Sequence, residues 1–318
     1  MTAAAPTLDT AESVQFLQFW MDVTDAPHVT LIGIIPDGNT TTCTFERGDL
    51  DATNSWIAEH QQDGRNIYFQ PNETRPGCNN KPAKVDMMAA LCRFGGIDPL
   101  DNQFPLADER ERLAQLTAYL VADPDFPPAA VIDSGNGMQP LWAVAREVLS
   151  QKAIARIESE TRAIENALGA GGTHNIDRLL RVPGTLNFPN HKKRDLNRGV
   201  SRARLIFSAP NMYSTDQAAG LAAHLSARLD GKGLVRPRSP KASKLSAEQV
   251  RDDDVAVLVQ RFRENAPIPG MQPPVGWRGI DAPDRGAFCG NAVLLPTIAE
   301  ARDDTSPPIA PPVGVSRL

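Results

Sequence analysis

The segment 172–198, GTHNIDRLLRVPGTLNFPNHKKRDLNR, combines the residue types that bind phosphate and metal ions. It holds one isolated acid, Asp177, two arginines three residues apart, Arg178 and Arg181, a rigid turn at 183–185 and a basic run at 192–194. Arginine forks suit phosphate oxygens, and a carboxylate is a ligand that Mg²⁺ and Mn²⁺ accept. The segment therefore predicts one side of a metal-assisted phosphate site.

The charge distribution singles out the same region. Residues 171–206 carry eight Lys or Arg and two Asp, a net charge of +6, and because the whole chain is at −5 the remainder carries −11. A basic patch on an acidic protein favours a local polyanion site over a surface covered with phosphate contacts. From charge alone, a solvated basic loop explains the patch equally well.

Asp98 is the second candidate for metal binding, because it stands just before Pro99 at the end of a predicted strand. A carboxylate at a strand end can hold a divalent cation, but a single such Asp is also a common turn former. The metal interpretation needs a partner, and Asp177 is the candidate. Asp101 and Asp133 are weaker candidates, and we expect Asp133 to stabilise the turn that follows it.

A tight turn, SGNG, separates two predicted strands. It consists of Ser134, Gly135, Asn136 and Gly137. The pattern by itself favours a hairpin turn, whereas the alternative is a small nest of backbone N–H groups for an anion. Gln139 follows on the return strand, and we expect it to point into the cleft that holds Asp98.

Hydrophobic periodicity predicts the elements that position these residues. The expected helices cover 10–21, 51–62, 106–121, 146–168 and 216–229, and the expected strands cover 29–35, 40–45, 66–70, 85–98, 129–133, 138–144 and 203–207. Because strands and helices are interspersed, the fold class is α+β (mixed α/β).

Composition divides the chain into three parts. We expect a domain over 8–230, a basic Pro/Ser-rich linker over 231–245, and a Pro-rich, largely irregular tail over 246–318 with one helix within 246–265. No secretory signal and no run of about 18 apolar residues is present, so we expect a cytoplasmic protein. The four cysteines form no CxxC pair, which favours reduced thiols over a zinc site.

Taken together, these motifs resemble a known superfamily. IDRLLRVPGTLNFPN followed by KKR, with an upstream SGNGMQPLW hairpin and a strand ending IDP, resembles the archaeo-eukaryotic primase superfamily, and more narrowly the RepB-like and primase-polymerase proteins of plasmids, phages and integrated elements. The resemblance covers roughly residues 13–208. It implies a primase core with an N-terminal α/β module and an RRM-like catalytic sheet.

The resemblance also implies roles for individual residues. Asp98 and Asp177 would be catalytic and would hold Mg²⁺ or Mn²⁺. The nucleotide would be bound by Ser134, Gly135, Asn136, Gly137, Gln139, Arg181 and Asn187, and the single-stranded DNA template by Lys192, Lys193 and Arg194. The nucleotide would be an NTP or dNTP, and any replicative helicase would be a separate protein.

One departure from the superfamily pattern bears on catalysis. The first motif normally ends in two acids, and here Asp98 matches the second acid whereas Gly96 stands in the place of the first. Either a second metal binds weakly, or another acid such as Asp101 or Asp86 substitutes, or polymerisation has lapsed.

Three functional hypotheses follow from these patterns. The first is a DNA primase or primase-polymerase-like replication protein of a mobile element, which performs metal-dependent nucleotidyl transfer. The second is a catalytically weak or inactive DNA-binding initiator or accessory protein. The third is an unrelated α/β nucleotide-binding protein, against which the lack of GxxxxGK[ST] and GxGxxG patterns counts.

Overall fold

The helices and strands of the computed structural model confirm the α+β class. The structure describes residues 5–100, 103–195 and 198–236, which belong to one compact unit. Its helices are α1 (Thr10–Thr24), α2 (Leu50–Gln62), α3 (Leu106–Val121), α4 (Gln151–Leu168), α5 (His191–Asp195) and α6 (Thr215–Leu229). Within these residues, no helix has the length and apolar character that crossing a membrane requires.

The strands form two main sheets and one short ribbon. They are β1 (His28–Ile34), β2 (Thr40–Glu46), β3 (Asn66–Phe69), β4 (Glu73–Thr74), β5 (Met87–Phe94), β6 (Ala130–Asp133), β7 (Met138–Val148), β8 (Leu180–Arg181), β9 (Leu186–Asn187), β10 (Ser201–Arg202), β11 (Arg204–Ser208) and β12 (Met212–Tyr213).

The N-terminal sheet has the strand order β2-β1-β3-β8. Strands β1 and β2 form the predicted antiparallel hairpin. Strand β8 comes from the segment 172–198 and pairs antiparallel with β3, with Tyr68 opposite Arg181. This pairing fixes the phosphate-binding candidate Arg181 on the edge of a sheet.

The second sheet has the order β11-β6-β7-β5-β4, and β12 adds to β7 in parallel. Strands β6 and β7 form the hairpin that carries the SGNG turn, with Asp133 opposite Met138. Strand β7 pairs on its other side with β5, where Phe94 lies opposite Leu141. The SGNG turn and the end of β5 therefore lie at the same edge of this sheet.

One apolar cluster joins the two sheets, and α1 contributes Phe16, Leu17 and Trp20 to it. The ring of Phe16 meets Phe69 edge-on at 5.2 Å between ring centroids. A second cluster packs α3, α4 and α6 around Trp142 on β7. Burying these apolar surfaces is the main stabilising contribution to such a fold, and it makes the strand ends a rigid support.

The structure corrects several sequence-based boundaries. Strand β5 ends at Phe94 and not at Asp98, because ladder pairing stops there and only Ile97 bridges to Met138. Helix α4 begins at Gln151 and not at 146, since β7 continues to Val148 and Ser150 caps the helix by accepting a hydrogen bond from Ala153 N–H at 3.1 Å.

Several other expectations lie outside what the structure tests. The domain limits 8–230 stay a prediction. The expected helix within 246–265, the Pro-rich tail, Asp101 and most of the linker 231–245 lie outside the described residues.

Candidate functional site

The SGNG turn packs directly against Asp98. After β5, Ile97 N–H donates to Met138 O and Met138 N–H donates to Ile97 O, both at 2.9 Å. A β-carbon on Gly137 would lie 2.4 Å from Ile97 O and 2.9 Å from Asp98 Oδ1. Only glycine fits this approach, so the structure brings together the SGNG turn and the chain segment that carries Asp98. The Asp98 side chain is exposed.

Inside the turn, the backbone N–H groups already donate hydrogen bonds to side chains of the protein. Gly137 N–H donates to Ser134 Oγ at 3.0 Å, and Gly135 N–H donates to Asp133 Oδ1 at 2.8 Å. Asn136 N–H makes a longer bond of 3.4 Å to Ser134 Oγ. Asp133 therefore stabilises the turn as predicted. An anion could use these N–H groups only after replacing the Ser134 hydroxyl and the Asp133 carboxylate.

The segment 172–198 is hydrogen-bonded to this hairpin at three points. Asn187 Nδ2 donates to Ser134 O at 2.8 Å, and Arg181 N–H donates to Gln139 Oε1 at 3.0 Å. In addition, Arg198 Nη1 donates to Asn136 Oδ1 at 2.8 Å. The residues that the sequence assigns to nucleotide binding thus form one connected network across two sheets.

Arg181 is the most unusual member of this network. Its side chain is buried, with 4% of the residue exposed, and the guanidinium stacks over the Tyr68 ring at 4.1 Å from the ring centroid. Its Nη2 donates to Tyr68 Oη and to Asn187 Oδ1, each at 2.9 Å. Its Nε and Nη1 are buried and have no hydrogen-bond partner within the part of the chain that the structure describes.

No carboxylate of the described residues pairs with Arg181, and burial lowers the pKa of its guanidinium. A buried charge without a counter-ion is costly, and it persists where a bound anion compensates it. Tyr68, which completes this arrangement, was not predicted from the sequence. Its only signal is its position on the short strand beside Ile67 and Phe69.

Asp177 lies half-exposed on the loop after α4. Both backbone groups of the preceding residue are fixed, because Ile176 N–H donates to Glu158 Oε1 and Ile176 O accepts from Asn72 Nδ2, each at 3.0 Å. The Asp177 carboxylate itself makes no hydrogen bond or ion pair with another described residue. It is therefore available to an incoming ligand.

Gly96, in the place of the missing acid, lies against Thr173 of the same segment. Thr173 N–H donates to Glu165 Oε1 at 2.6 Å, and its hydroxyl donates to the same oxygen. Glu165 is itself buried on α4. The space that the side chain of an acid at position 96 would need is therefore occupied by the buried Thr173, which its bonds to Glu165 hold in place.

Asp98 and Asp177 offer two carboxylates as candidate ligands for a divalent cation. Mg²⁺ at phosphoryl-transfer sites is commonly held by one or two carboxylates together with water and substrate phosphates. Gly96 offers no bridging carboxylate. Asp86, one of the expected substitutes, is already bonded to Arg75 at 2.7 Å and to Ala83 N–H at 2.9 Å.

A further group of potential metal ligands lies before the start of β6, which the sequence did not indicate. One ligand atom from each of Asp123, Asp125 and His224 lies within 4.8 Å of the others. However, both oxygens of Asp123 accept from His224 Nε2, and Arg228 Nε adds a bond of 3.2 Å. The buried Asp123 is thus bonded to α6 by His224 and Arg228, whereas Asp125 is exposed. A cation there would have to replace these two bonds to Asp123.

The predicted DNA-binding run forms the short helix α5. His191 anchors this helix to the β1–β2 turn, because its N–H and Nδ1 bond to the two carboxylate oxygens of Asp37 at 2.9 and 2.8 Å. These bonds hold the pKa of Asp37 below its usual range. Lys192 is exposed, and Arg194 donates to Pro189 O at 2.9 Å. The assignment of this run to DNA stays a prediction.

Comparison with known proteins gives three similar solved structures, while no protein-family model and no curated protein matches the chain. One is the archaeo-eukaryotic primase domain of the primase-polymerase of cyanophage S-2L. It has 14% identity and a TM-score of 0.45, and the match covers 69% of this chain and 99% of that one. Primase RepB′ has 13% identity and a TM-score of 0.44 over 80% of this chain and 76% of its own.

The third structure is the catalytic domain of primase RepB′ in complex with initiator DNA, with 12% identity, a TM-score of 0.42 and coverage of 69% and 99%. The chemistry of this protein has to be argued from its own residues, because all three structures have less than 15% identity and TM-scores below 0.5.

Proposed function

We propose that this protein binds a nucleoside triphosphate and single-stranded DNA in a primase-like site, and that it acts in nucleotidyl transfer during replication of a mobile element. The observation that carries the proposal is the buried guanidinium of Arg181, two of whose nitrogens have no hydrogen-bond partner and which has no paired carboxylate among the described residues. A phosphate group supplies the negative charge and the paired oxygens that such a guanidinium needs.

The neighbours of Arg181 support a nucleotide over a simple anion. Gln139 and Asn187 bond to Arg181 and hold it against the SGNG hairpin. On the other side of that hairpin, Gly137 lies against Asp98. A triphosphate bound at Arg181 would therefore extend along the turn towards the candidate metal ligands.

The reaction class would be attack of a 3′-hydroxyl on the α-phosphate of the nucleotide, with pyrophosphate as the leaving group. Asp98 and Asp177 would hold a Mg²⁺ or Mn²⁺ ion, which when bound neutralises developing charge on the phosphoryl oxygens. Arg181 would fix the triphosphate, and Lys192, Lys193 and Arg194 would follow the template backbone through contacts that do not depend on sequence.

The second candidate is a replication initiator or accessory protein that binds nucleotide and DNA with weak or no catalysis. The observation in its favour is that Thr173 fills the space beside Gly96, so the site lacks a third acid among the described residues. The basic helix α5 and the anion site at Arg181 would be retained in such a protein, because neither depends on that acid.

The test is a titration of NTPs and dNTPs in the presence of Mn²⁺, followed by primer extension on single-stranded DNA. The variant is Arg181→Met, and the matched control is Arg162→Met, which removes an exposed arginine of α4 outside the segment 172–198. Nucleotide binding lost only in Arg181→Met, with extension by the unmutated protein, supports the enzyme.

The other outcomes separate the candidates. Binding that depends on Arg181 without any extension supports the initiator or accessory protein. If the unmutated protein binds no nucleotide at millimolar concentration, both forms of the proposal fail.

A further inference from the structure

Glu109, on the first turn of α3, is a fully buried carboxylate with no part in the site described above. Its oxygens accept from Arg112 Nε and Nη2 at 3.1 and 2.8 Å and from Arg236 Nη1 at 2.7 Å. Oε2 also accepts the backbone N–H of Leu100 at 2.9 Å. The bonds from Arg112 in particular hold the pKa of Glu109 below its usual range.

The bond to Leu100 matters because of where that residue stands. Leu100 follows Asp98 by two residues, with Pro99 between them. On the other side of Asp98, Ile97 is fixed to Met138 of β7 by two backbone hydrogen bonds. The backbone around Asp98 is therefore held at two points, one on the sheet and one on the side chain of Glu109.

The chain after α6 completes this arrangement. Arg112 Nη1 donates to Leu234 O at 2.8 Å, so the segment 230–236 is bound along α3. The Arg236 guanidinium lies 3.8 Å from the centroid of the Phe104 ring while it bonds to Glu109. Charge-assisted hydrogen bonds of this buried kind are stronger than neutral ones, because solvent screens them little.

We propose that Glu109 is a positioning residue for Asp98, and that Arg236 in the segment after α6 locks it. Arg112 and Arg236 orient the Glu109 carboxylate, the carboxylate holds the Leu100 amide, and the amide fixes the direction in which Asp98 presents its oxygens. The segment leading to the C-terminal region is thereby coupled to the candidate metal ligand. The link to metal binding rests on the proposed function, whereas the link between Arg236 and the Leu100 amide does not.

The first test is hydrogen–deuterium exchange of the full chain, followed for the peptide that contains residues 95–100. The variants are Glu109→Gln, which keeps the size of the side chain, and Arg236→Met. Lys232→Met is the matched control, because Lys232 belongs to the same segment and its amine lies 5.9 Å from the Tyr119 ring, away from Glu109.

We expect exchange of this peptide to rise at least tenfold in Glu109→Gln and severalfold in Arg236→Met, and to stay unchanged in Lys232→Met. Unchanged exchange in a folded Arg236→Met variant overturns the coupling, even if Glu109→Gln fails to fold.

The second test is the Mn²⁺ concentration at half-saturation of primer extension or, in an inactive protein, of nucleotide binding. A positioning role predicts a severalfold higher Mn²⁺ requirement in Arg236→Met, with the KM or Kd for nucleotide at saturating Mn²⁺ unchanged. An equal Mn²⁺ requirement in Arg236→Met and the unmutated protein overturns the positioning role. If the unmutated protein binds no nucleotide, the proposed function fails, and the exchange comparison still decides this inference.

Discussion

Thr173 occupies the space that an acid at position 96 would need. A β-carbon on Gly96 would lie 2.8 Å from Thr173 Cγ2 and 3.1 Å from its Oγ1. Thr173 cannot rotate away without cost, because its hydroxyl and its N–H are both bonded to the buried Glu165. The glycine is therefore part of a packed contact, and a single substitution does not restore the missing carboxylate.

The first prediction tests this contact. We expect Gly96→Ala to lower the free energy of unfolding by about 1–3 kcal/mol, which is typical of overpacking in a filled interior. The double variant Gly96→Ala with Thr173→Ser should regain at least half of that loss. Serine keeps the hydroxyl that bonds to Glu165 and removes the methyl group. Urea unfolding of both variants and of Thr173→Ser alone gives the comparison.

The same reasoning decides how catalysis should be tested. Gly96→Asp by itself would force the aspartate against Thr173, so it is not a fair test of whether a third acid restores activity. The double variant Gly96→Asp with Thr173→Ser is the fair one. If Gly96→Ala proves as stable as the unmutated protein, the space is not filled as described and this reasoning fails.

The second prediction concerns Arg181, whose replacement should affect nucleotide affinity much more than the free energy of unfolding. Arg181→Met removes a buried charge, which favours stability, and it also leaves Asn187 Oδ1 and Tyr68 Oη without a donor. Because these effects oppose each other, we expect the free energy of unfolding to change by less than about 2 kcal/mol. Nucleotide affinity should fall by tenfold or more, which corresponds to about 1.4 kcal/mol per factor of ten.

Thermal unfolding with and without nucleotide measures both effects in one experiment. A ligand that binds only the folded protein raises its melting temperature. Nucleotide should therefore raise the melting temperature of the unmutated protein and of Arg162→Met, but not of Arg181→Met. A normal nucleotide shift in Arg181→Met would exclude Arg181 from the binding site.

Sequence patterns predicted the long elements better than they predicted the contacts. Helices α1, α3 and α4 were predicted from apolar stripes that repeat over several turns, whereas α2 buries the polar Thr53 and Gln61 beside Ile57. Strands β8, β9, β10 and β12 have two residues each, too few for any period, and depend on partners elsewhere in the chain. The end of β5 was misplaced because apolar residues continue past Phe94 to Ile97, whereas Gly95 and Gly96 interrupt the ladder pairing.

Within the candidate site, the sequence pointed to particular residues but did not indicate their burial or their contacts. Arg181 and Asn187 could be named from the segment in which they stand. The burial of Arg181 against Tyr68 depends on a strand pairing between residues more than 100 positions apart, which no local pattern encodes. The same holds for Glu109 and Arg236, whose contact spans 127 positions.

The third prediction concerns Gly137, where the SGNG turn meets Asp98. A β-carbon there would lie 2.4 Å from Ile97 O and 3.0 Å from Asp98 Cα, and these backbone atoms cannot give way as a side chain can. We expect Gly137→Ala to destabilise the protein by about 1–3 kcal/mol and to raise the Mn²⁺ requirement for nucleotide binding, because Asp98 must move.

Gly199→Ala is the control for this change, since no atom of the described residues lies within 4 Å of a β-carbon at that position. It should leave both the stability and the Mn²⁺ requirement unchanged within error. An unchanged Mn²⁺ requirement in a folded Gly137→Ala variant would separate Asp98 from metal binding.

The fourth prediction concerns the basic run on α5. If Lys192, Lys193 and Arg194 contact the phosphates of single-stranded DNA, changing all three to Gln removes up to three contacts. The slope of log K against log salt should then fall by about 2, at about 0.7 per phosphate contact, and the loss of affinity should be the same for different base sequences.

A matched triple variant decides whether position matters or only total charge. Changing Lys81, Lys152 and Lys232 to Gln removes the same charge from exposed sites elsewhere. The Asp37 carboxylate that anchors α5 stays ionised at neutral pH, because its pKa is held below the usual value of 3.8. The slopes are compared at one fixed pH. Equal decreases in the two triple variants would mean that α5 has no special contact with DNA, since an attraction set by net charge alone is weakened equally by either variant.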